Sequence, residues 1–175
     1  MAAHHGKIAA FFPDGQLRLE LPFTGRPAAL LPLEQGLLLG SDNGQLELWP
    51  GDRLAGESPL LRLEQTPSSP PVSLLAGPSG TLVAGFADGT LGLWSLQNGA
   101  RLHQEKLHGP VVHLLRRGAR LHAASELGDQ LTWDLADFER PYCEVLQEVW
   151  RSMELVGEAG KAVVRPPDAR HRCRN

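Results

Sequence analysis

A chain of 175 residues, 42% hydrophobic and 21% charged, has the composition of an ordinary single domain able to bury a core. Its formal net charge of -3 excludes a blanket attraction to nucleic acid or anionic lipid, though not a local basic patch. Two cysteines, Cys143 and Cys173, exclude a disulfide framework and read as free thiols, and no apolar run is long enough for a signal peptide or a membrane span, so a cytoplasmic location is the expectation.

In chain order, Ile8 to Phe12 reads as a strand, Pro13-Asp14-Gly15 as a turn and Gln16 to Leu21 as the returning strand. This first unit leaves no room for an earlier partner strand and starts in the middle of a sheet. Turn formers from Pro22 to Pro27 lead to a strand at Ala28–Leu33, a second at Leu37–Gly40, the turn Asp42-Asn43-Gly44 and a third strand ending at Trp49. Between Leu54 and Val72 only Leu60–Leu63 has strand character, and Thr66-Pro-Ser-Ser-Pro-Pro71 predicts a long exposed loop.

Val72–Ala76, the turn Gly77–Gly80 and then Thr81 to Trp94 form the clearest stretch. Leu82, Ala84 and Phe86 alternate with Val83 and Gly85, Asp88-Gly89 suits a two-residue hairpin turn, and Leu91 and Leu93 alternate with Gly92 and Trp94. Ala100–Leu107 adds an outer strand, so one complete four-stranded sheet is legible. A last copy comes at Val111–Leu115, Arg120–Ser125 and Gln130–Leu135. Its turn is altered: either Gly128 or Asp129 could stand where Gly89 stands, and Asp129 is preferred because it keeps Leu131 and Trp133 on the face of Leu91 and Leu93.

Beyond the repeats, apolar positions from Pro141 to Met153 recur with a helical period, predicting about three turns of helix with Val145, Val149 and Trp150 against the last sheet. Leu155–Val164 suggests a small hairpin, and residues 165–175 a basic tail. The expected domains are therefore sheets over 1–137, a helical segment over 138–156, and a hairpin with tail over 157–175.

The units Gly-Ser-Asp42-Asn-Gly44-Gln-Leu-Glu-Leu-Trp49 and Gly-Phe-Ala-Asp88-Gly89-Thr-Leu-Gly-Leu-Trp94 resemble WD40 repeats, over roughly residues 8 to 136. Quinoprotein-type propellers share the same glycine and tryptophan rhythm. The resemblance implies an all-β fold of WD40-like propeller blades, in an incomplete, open arc of three to four blades, with a C-terminal helix after them. It also implies a hydrogen-bonded structural set in the last blade: His108, Ser125, Asp129 as the turn aspartate, and Trp133, which stands one position early if Asp129 replaces Gly89.

No nucleophile elbow, phosphate-cradling loop or metalloprotease helix accompanies the histidines, and His171-Arg-Cys173 lacks a four-ligand zinc spacing, so catalytic, cofactor and metal residues are expected to be none. The expected function is a non-catalytic scaffold for protein partners, without nucleic acid or membrane. The alternative is the C-terminal sensory or scaffolding part of a larger signalling enzyme, such as a WD40-fused serine/threonine kinase. An open arc further predicts either a homo-oligomer or missing N-terminal blades.

Overall fold

The computed structural model describes residues 2–4, 7–11, 13–23, 25–50, 58–152, 155–158, 161–164, 171 and 173. They belong to two compact units, Met1–Trp133 and Asp134–Asn175.

Unit 1 is a succession of antiparallel sheets, each a blade of β-propeller type, in an open arc rather than a closed ring. The first blade contains β1 (Ala2–His4), β2 (Lys7–Phe11) and β3 (Leu17–Pro22). The second contains β4 (Pro27–Leu33), β5 (Gly36–Ser41), β6 (Leu46–Pro50) and β7 (Leu61–Arg62). The third contains β8 (Pro71–Ala76), β9 (Thr81–Phe86), β10 (Thr90–Ser95) and β11 (Arg101–Lys106), and the fourth β12 (Val111–Arg117), β13 (Arg120–Ser125) and β14 (Gln130–Asp134). The inner strands β4, β8 and β12 lie against one another in turn, which places the apolar seams between consecutive blades.

Those seams arise from the period-two patterns. In the second blade Leu38, Leu46 and Leu48 point forward and pack on Leu82, Ala84, Phe86 and Trp94 of the third. On the opposite face Leu39 and Trp49 pack back on Ile8 and Phe23. Both faces of a central blade are thus buried, so β9 reads as a continuous apolar run in which all six residues are buried. Phe86 and Trp94 meet edge to face at 5.9 Å.

Four sequence expectations are corrected. The first blade does have an inner strand: Ala2, Ala3 and His4 of β1 pair with Ala9, Ile8 and Lys7. Backbone hydrogen bonds suffice for this, and Ala-Ala-His carries no apolar alternation to announce it. The strand character of Leu60–Leu63 is present as β7, where Arg62 and Leu61 pair with Glu47 and Leu48 to complete the second blade, but the loop after it is not fully exposed. Leu63 and Pro71 are buried beyond it.

The third correction concerns the turns. Asp88 is not in the left-handed region; only Gly89 is, at φ 87°, and the Gly89 N–H donates to Phe86 O at 3.0 Å. The loop is therefore the three residues Ala87-Asp88-Gly89, a tight turn closed by a left-handed glycine, rather than a two-residue hairpin turn. In the fourth blade the residue in this position is Gly128, at φ 93°, bonded to Ser125 O at 3.1 Å. Asp129 does not replace Gly89. Trp133 then stands five residues after its turn glycine, as Trp94 and Trp49 do after Gly89 and Gly44, and is not early. Backbone conformation decides the register here, since only glycine adopts this φ without steric cost.

In unit 2, α1 (Ala136–Glu139) precedes α2 (Tyr142–Ser152), and β15 (Leu155–Glu158) pairs with β16 (Lys161–Val164) in a hairpin. The two cysteines are not free thiols: Cys143 and Cys173 are joined in a disulfide, with Cα atoms 4.8 Å apart. Their 30-residue separation gives no local sign of pairing. The approach comes with His171 and Cys173 held against α2, where Gln147 Nε2 donates to Cys173 O at 2.6 Å and Trp150 meets His171 edge to face at 5.1 Å. Val145, Val149 and Trp150 are half-buried, and Arg140 bonds Glu148 at 2.5 Å. Among the described residues no helix is long and apolar enough to cross a membrane.

Candidate interaction surface at the blade turns

The turns after β2, β5, β9 and β13 use one local device with variations. In the first three, an Asx side chain just before the glycine accepts the N–H two residues on: Asp14 from Gln16 at 2.9 Å, Asn43 from Gln45 at 3.2 Å, and Asp88 from Thr90 at 3.0 Å. This satisfies a donor that the tight turn would otherwise leave unpaired. In the fourth blade Leu127 holds that place and is 73% exposed. Ser125 takes over, its Oγ accepting the Asp129 N–H at 3.1 Å, as Ser41 Oγ accepts from Gln45 N at 3.1 Å.

Asp42 is exposed and caps backward across the loop, accepting the Arg26 N–H at 3.0 Å. Asp88 also accepts the Thr90 hydroxyl at 3.0 Å and Lys106 Nζ at 2.7 Å. Partial burial alone would raise its pKa, but the Lys106 and Thr90 bonds outweigh that and hold Asp88 below the usual carboxylate value.

Gly44 and Gly89 need the absence of a Cβ for packing as well as for φ. A Cβ on Gly44 would lie 1.8 Å from Pro67 O, and one on Gly89 2.1 Å from Leu107 O. The loop leading to the next blade therefore rests on each turn. At Gly128 a Cβ would meet nothing within 4 Å.

The four residues of the last-blade set divide. His108 Nδ1 lies 2.7 Å from Asp129 Oδ2, the His108 N–H donates to the same oxygen at 2.9 Å, and Ser125 binds the Asp129 backbone. The His108 backbone donor first, and then its ring, hold the Asp129 carboxyl below its ordinary range. Trp133 is not part of this group. Its Nε1 donates to Glu105 Oε1 at 3.2 Å and its ring meets His103 edge to face at 4.9 Å. The His108 side chain is 91% exposed, so this polar group sits on the rim rather than inside the blade.

Glu105 and Glu64 are partners that sequence reasoning missed. Trp94 Nε1 donates to Glu64 O at 2.8 Å, so Trp94 and Trp133 each bridge to the segment closing the preceding blade. Trp49 instead bonds Glu47 on its own strand, at 3.3 Å, and Arg62 Nε completes that buried carboxylate at 3.0 Å. The tryptophan spacing was the only signal for this device, and it does not identify an acceptor.

Comparison with solved structures places this arrangement among repeat folds. The chain resembles the computationally designed Ika8 protein over 74% of its length and 40% of that chain, at 21% identity and a TM-score of 0.63. It resembles the computationally designed Ika4 protein over 74% of its length and 80% of that chain, also at 21% and 0.63. A chain in the crystal structure of the mitotic checkpoint complex matches over 75% of this chain and 42% of its own length, at 16% identity and 0.64. The chain thus spans less than half of Ika8 and of the checkpoint-complex chain. These likenesses are of fold. No family model matches the sequence, and no curated protein matches it.

What the rim can do chemically is present short-range polar contacts on a fixed frame. Among the described residues no group of three His, Cys, Asp or Glu side chains could hold a metal ion.

Proposed function

We propose that this chain is a non-catalytic, WD40-like interaction module that holds protein partners on the exposed surfaces of its blades. The observation that carries the reading is how the recurring polar groups are used: the Asx side chains cap turns, and the Trp94 and Trp133 N–H groups bridge blades. They build the frame, and what differs from blade to blade is exposed side chains. A rigid frame with variable exposed surface suits recognition. A fold likeness to a chain from a multi-protein complex agrees with this. The same reading assigns residues 1–137 to the blades, 138–156 to the helical segment and 157–175 to the hairpin and tail, in a cytoplasmic protein.

The test is cross-linked capture from cell extract by the full chain, with the destabilised Gly89→Val variant as the control. Partners held by the wild type and absent from the control are expected. Equal recovery on both would contradict the reading.

A further inference from the structure

We propose that the outward face of the fourth blade, centred on Arg117 and Arg120, binds an acidic peptide segment of a partner; this rests on the interaction-module reading above.

The argument starts from equivalent positions. Strand pairing and the turn glycines align Leu38, Gly40, Leu46 and Leu48 of the second blade with Val83, Gly85, Leu91 and Leu93 of the third. All eight are buried, because these are the forward faces on which the next blade sits. The fit is close: a Cβ on Gly40 would lie 2.4 Å from Pro71 Cγ, and one on Gly85 2.6 Å from Val111 O. In the fourth blade the same positions hold His122, Ala124, Gln130 and Thr132. His122, Gln130 and Thr132 are polar, His122 and Gln130 are exposed, and His122 Nδ1 lies 3.1 Å from Thr132 Oγ1. A fifth blade would meet a largely polar surface here. Repeat arrays end on such polar caps.

Capping accounts for polarity but not for the sign of the charge. Arg117 pairs directly with Arg120 across the β12–β13 hairpin, and both are exposed. Like charges opposite each other in an antiparallel pair are destabilising. The equivalent positions carry no such pair: they are Leu33 and Gly36 in the second blade, and Gly77 and Thr81 in the third. A cap shaped by solubility alone would mix signs. The acid on this face, Asp134, is already engaged, its Oδ1 accepting the Ala136 N–H at 3.0 Å.

Two guanidinium forks side by side match closely spaced carboxylates. Leu115, on the same face two residues before Arg117, is 49% exposed and gives a neighbouring apolar contact. That pairing of charge with an aliphatic side chain favours an acidic peptide carrying apolar residues. Among the described residues the exposed large hydrophobic side chains include no aromatic ring on which a base could stack, which disfavours single-stranded nucleic acid.

The experiment uses the full chain and a fluorescein-labelled octapeptide of alternating glutamate and leucine, with glutamine replacing glutamate in the control peptide. Anisotropy should show binding of the glutamate peptide that weakens with salt and falls about tenfold or more in an Arg117→Ser/Arg120→Ser variant whose thermal midpoint is unchanged or higher. Equal affinity for the two peptides, or unchanged affinity in the double variant, overturns the proposal. Tighter binding of oligothymidylate or of phosphatidylserine vesicles also overturns it. If the double variant still captures the partners that Gly89→Val loses, the interaction module stands and this face is not its surface.

Discussion

The first three strands of the third and fourth blades pair in the same order, and their tryptophans stand at the same distance from the turn glycine, yet one blade is built to be enclosed and the other to end. In the third blade Gly85 is crowded by Val111, Gly89 by Leu107 O, and the forward positions Val83, Leu91 and Leu93 are buried and apolar. In the fourth, Ala124 replaces the first glycine, Gly128 has open space around it, and the positions equivalent to Val83, Leu91 and Leu93 are the exposed His122, Gln130 and Thr132. Apart from the outer strand β11, which has no counterpart among the described residues of the fourth blade, the two blades differ in whether a neighbour packs on the forward face. Identity at these few positions therefore says more about a blade's place in the arc than the turn and tryptophan rhythm does.

The sharpest way to break this comparison is to add a side chain at both turn glycines. Gly89→Val combines a left-handed backbone with collision against Leu107 O, and should cost about 4 kcal/mol or more. Gly128→Val carries the backbone strain alone and should cost about 1–2 kcal/mol. Equilibrium denaturation measures both, and equal losses would show that the fourth turn is enclosed as well.

Exchanging the forward faces should have a smaller effect. Leu93→Thr removes a buried aliphatic group and leaves a hydroxyl in the seam, for a loss of about 3 kcal/mol. Thr132→Leu at the equivalent exposed position should change stability by less than about 0.5 kcal/mol while increasing self-association. A large loss from Thr132→Leu would mean that the face is packed.

The smallest effect is electrostatic. Because Asp88 has a folded-state pKa below its ordinary value, its contribution to stability is present above that value and is lost as pH falls through the folded pKa. Between about pH 5 and pH 3, Asp88→Asn should lose less stability than the wild type. Leu127→Asp, which places the missing cap in the fourth turn, should raise stability at pH 7 by a few tenths of a kcal/mol. Parallel acid limbs for wild type and Asp88→Asn would remove the Lys106 and Thr90 account.

The strands, the turn glycines and α2 were legible because each rests on a period or on a residue with a unique backbone range. Thr81 to Trp94 shows this best: every alternation there becomes a buried strand. Physical terms with no local signature were not legible. The pairing of β1 is carried by its backbone, the acceptors of Trp94 and Trp133 come from another blade, and Cys143 meets Cys173 through contacts of Cys173 and His171 with α2 that no local spacing announces. The choice of Asp129 over Gly128 failed because it weighed side-chain facing above φ, which in a tight turn is the stronger constraint. Among the rim residues, His108 and Asp129 stand at motif positions, whereas the Arg117 and Arg120 pair emerges only from cross-strand register.

Site-specific thiol labelling tests the terminal character of the fourth blade most directly, since the native cysteines are joined in a disulfide. Thr132→Cys and Val83→Cys occupy the forward faces of the fourth and third blades. Under native conditions, Thr132→Cys should react with maleimide at nearly the rate of a free thiol whatever the protein concentration, while Val83→Cys should react only through unfolding. Protection of Thr132→Cys that grows with protein concentration would contradict the account, because it would mean that another blade covers this face.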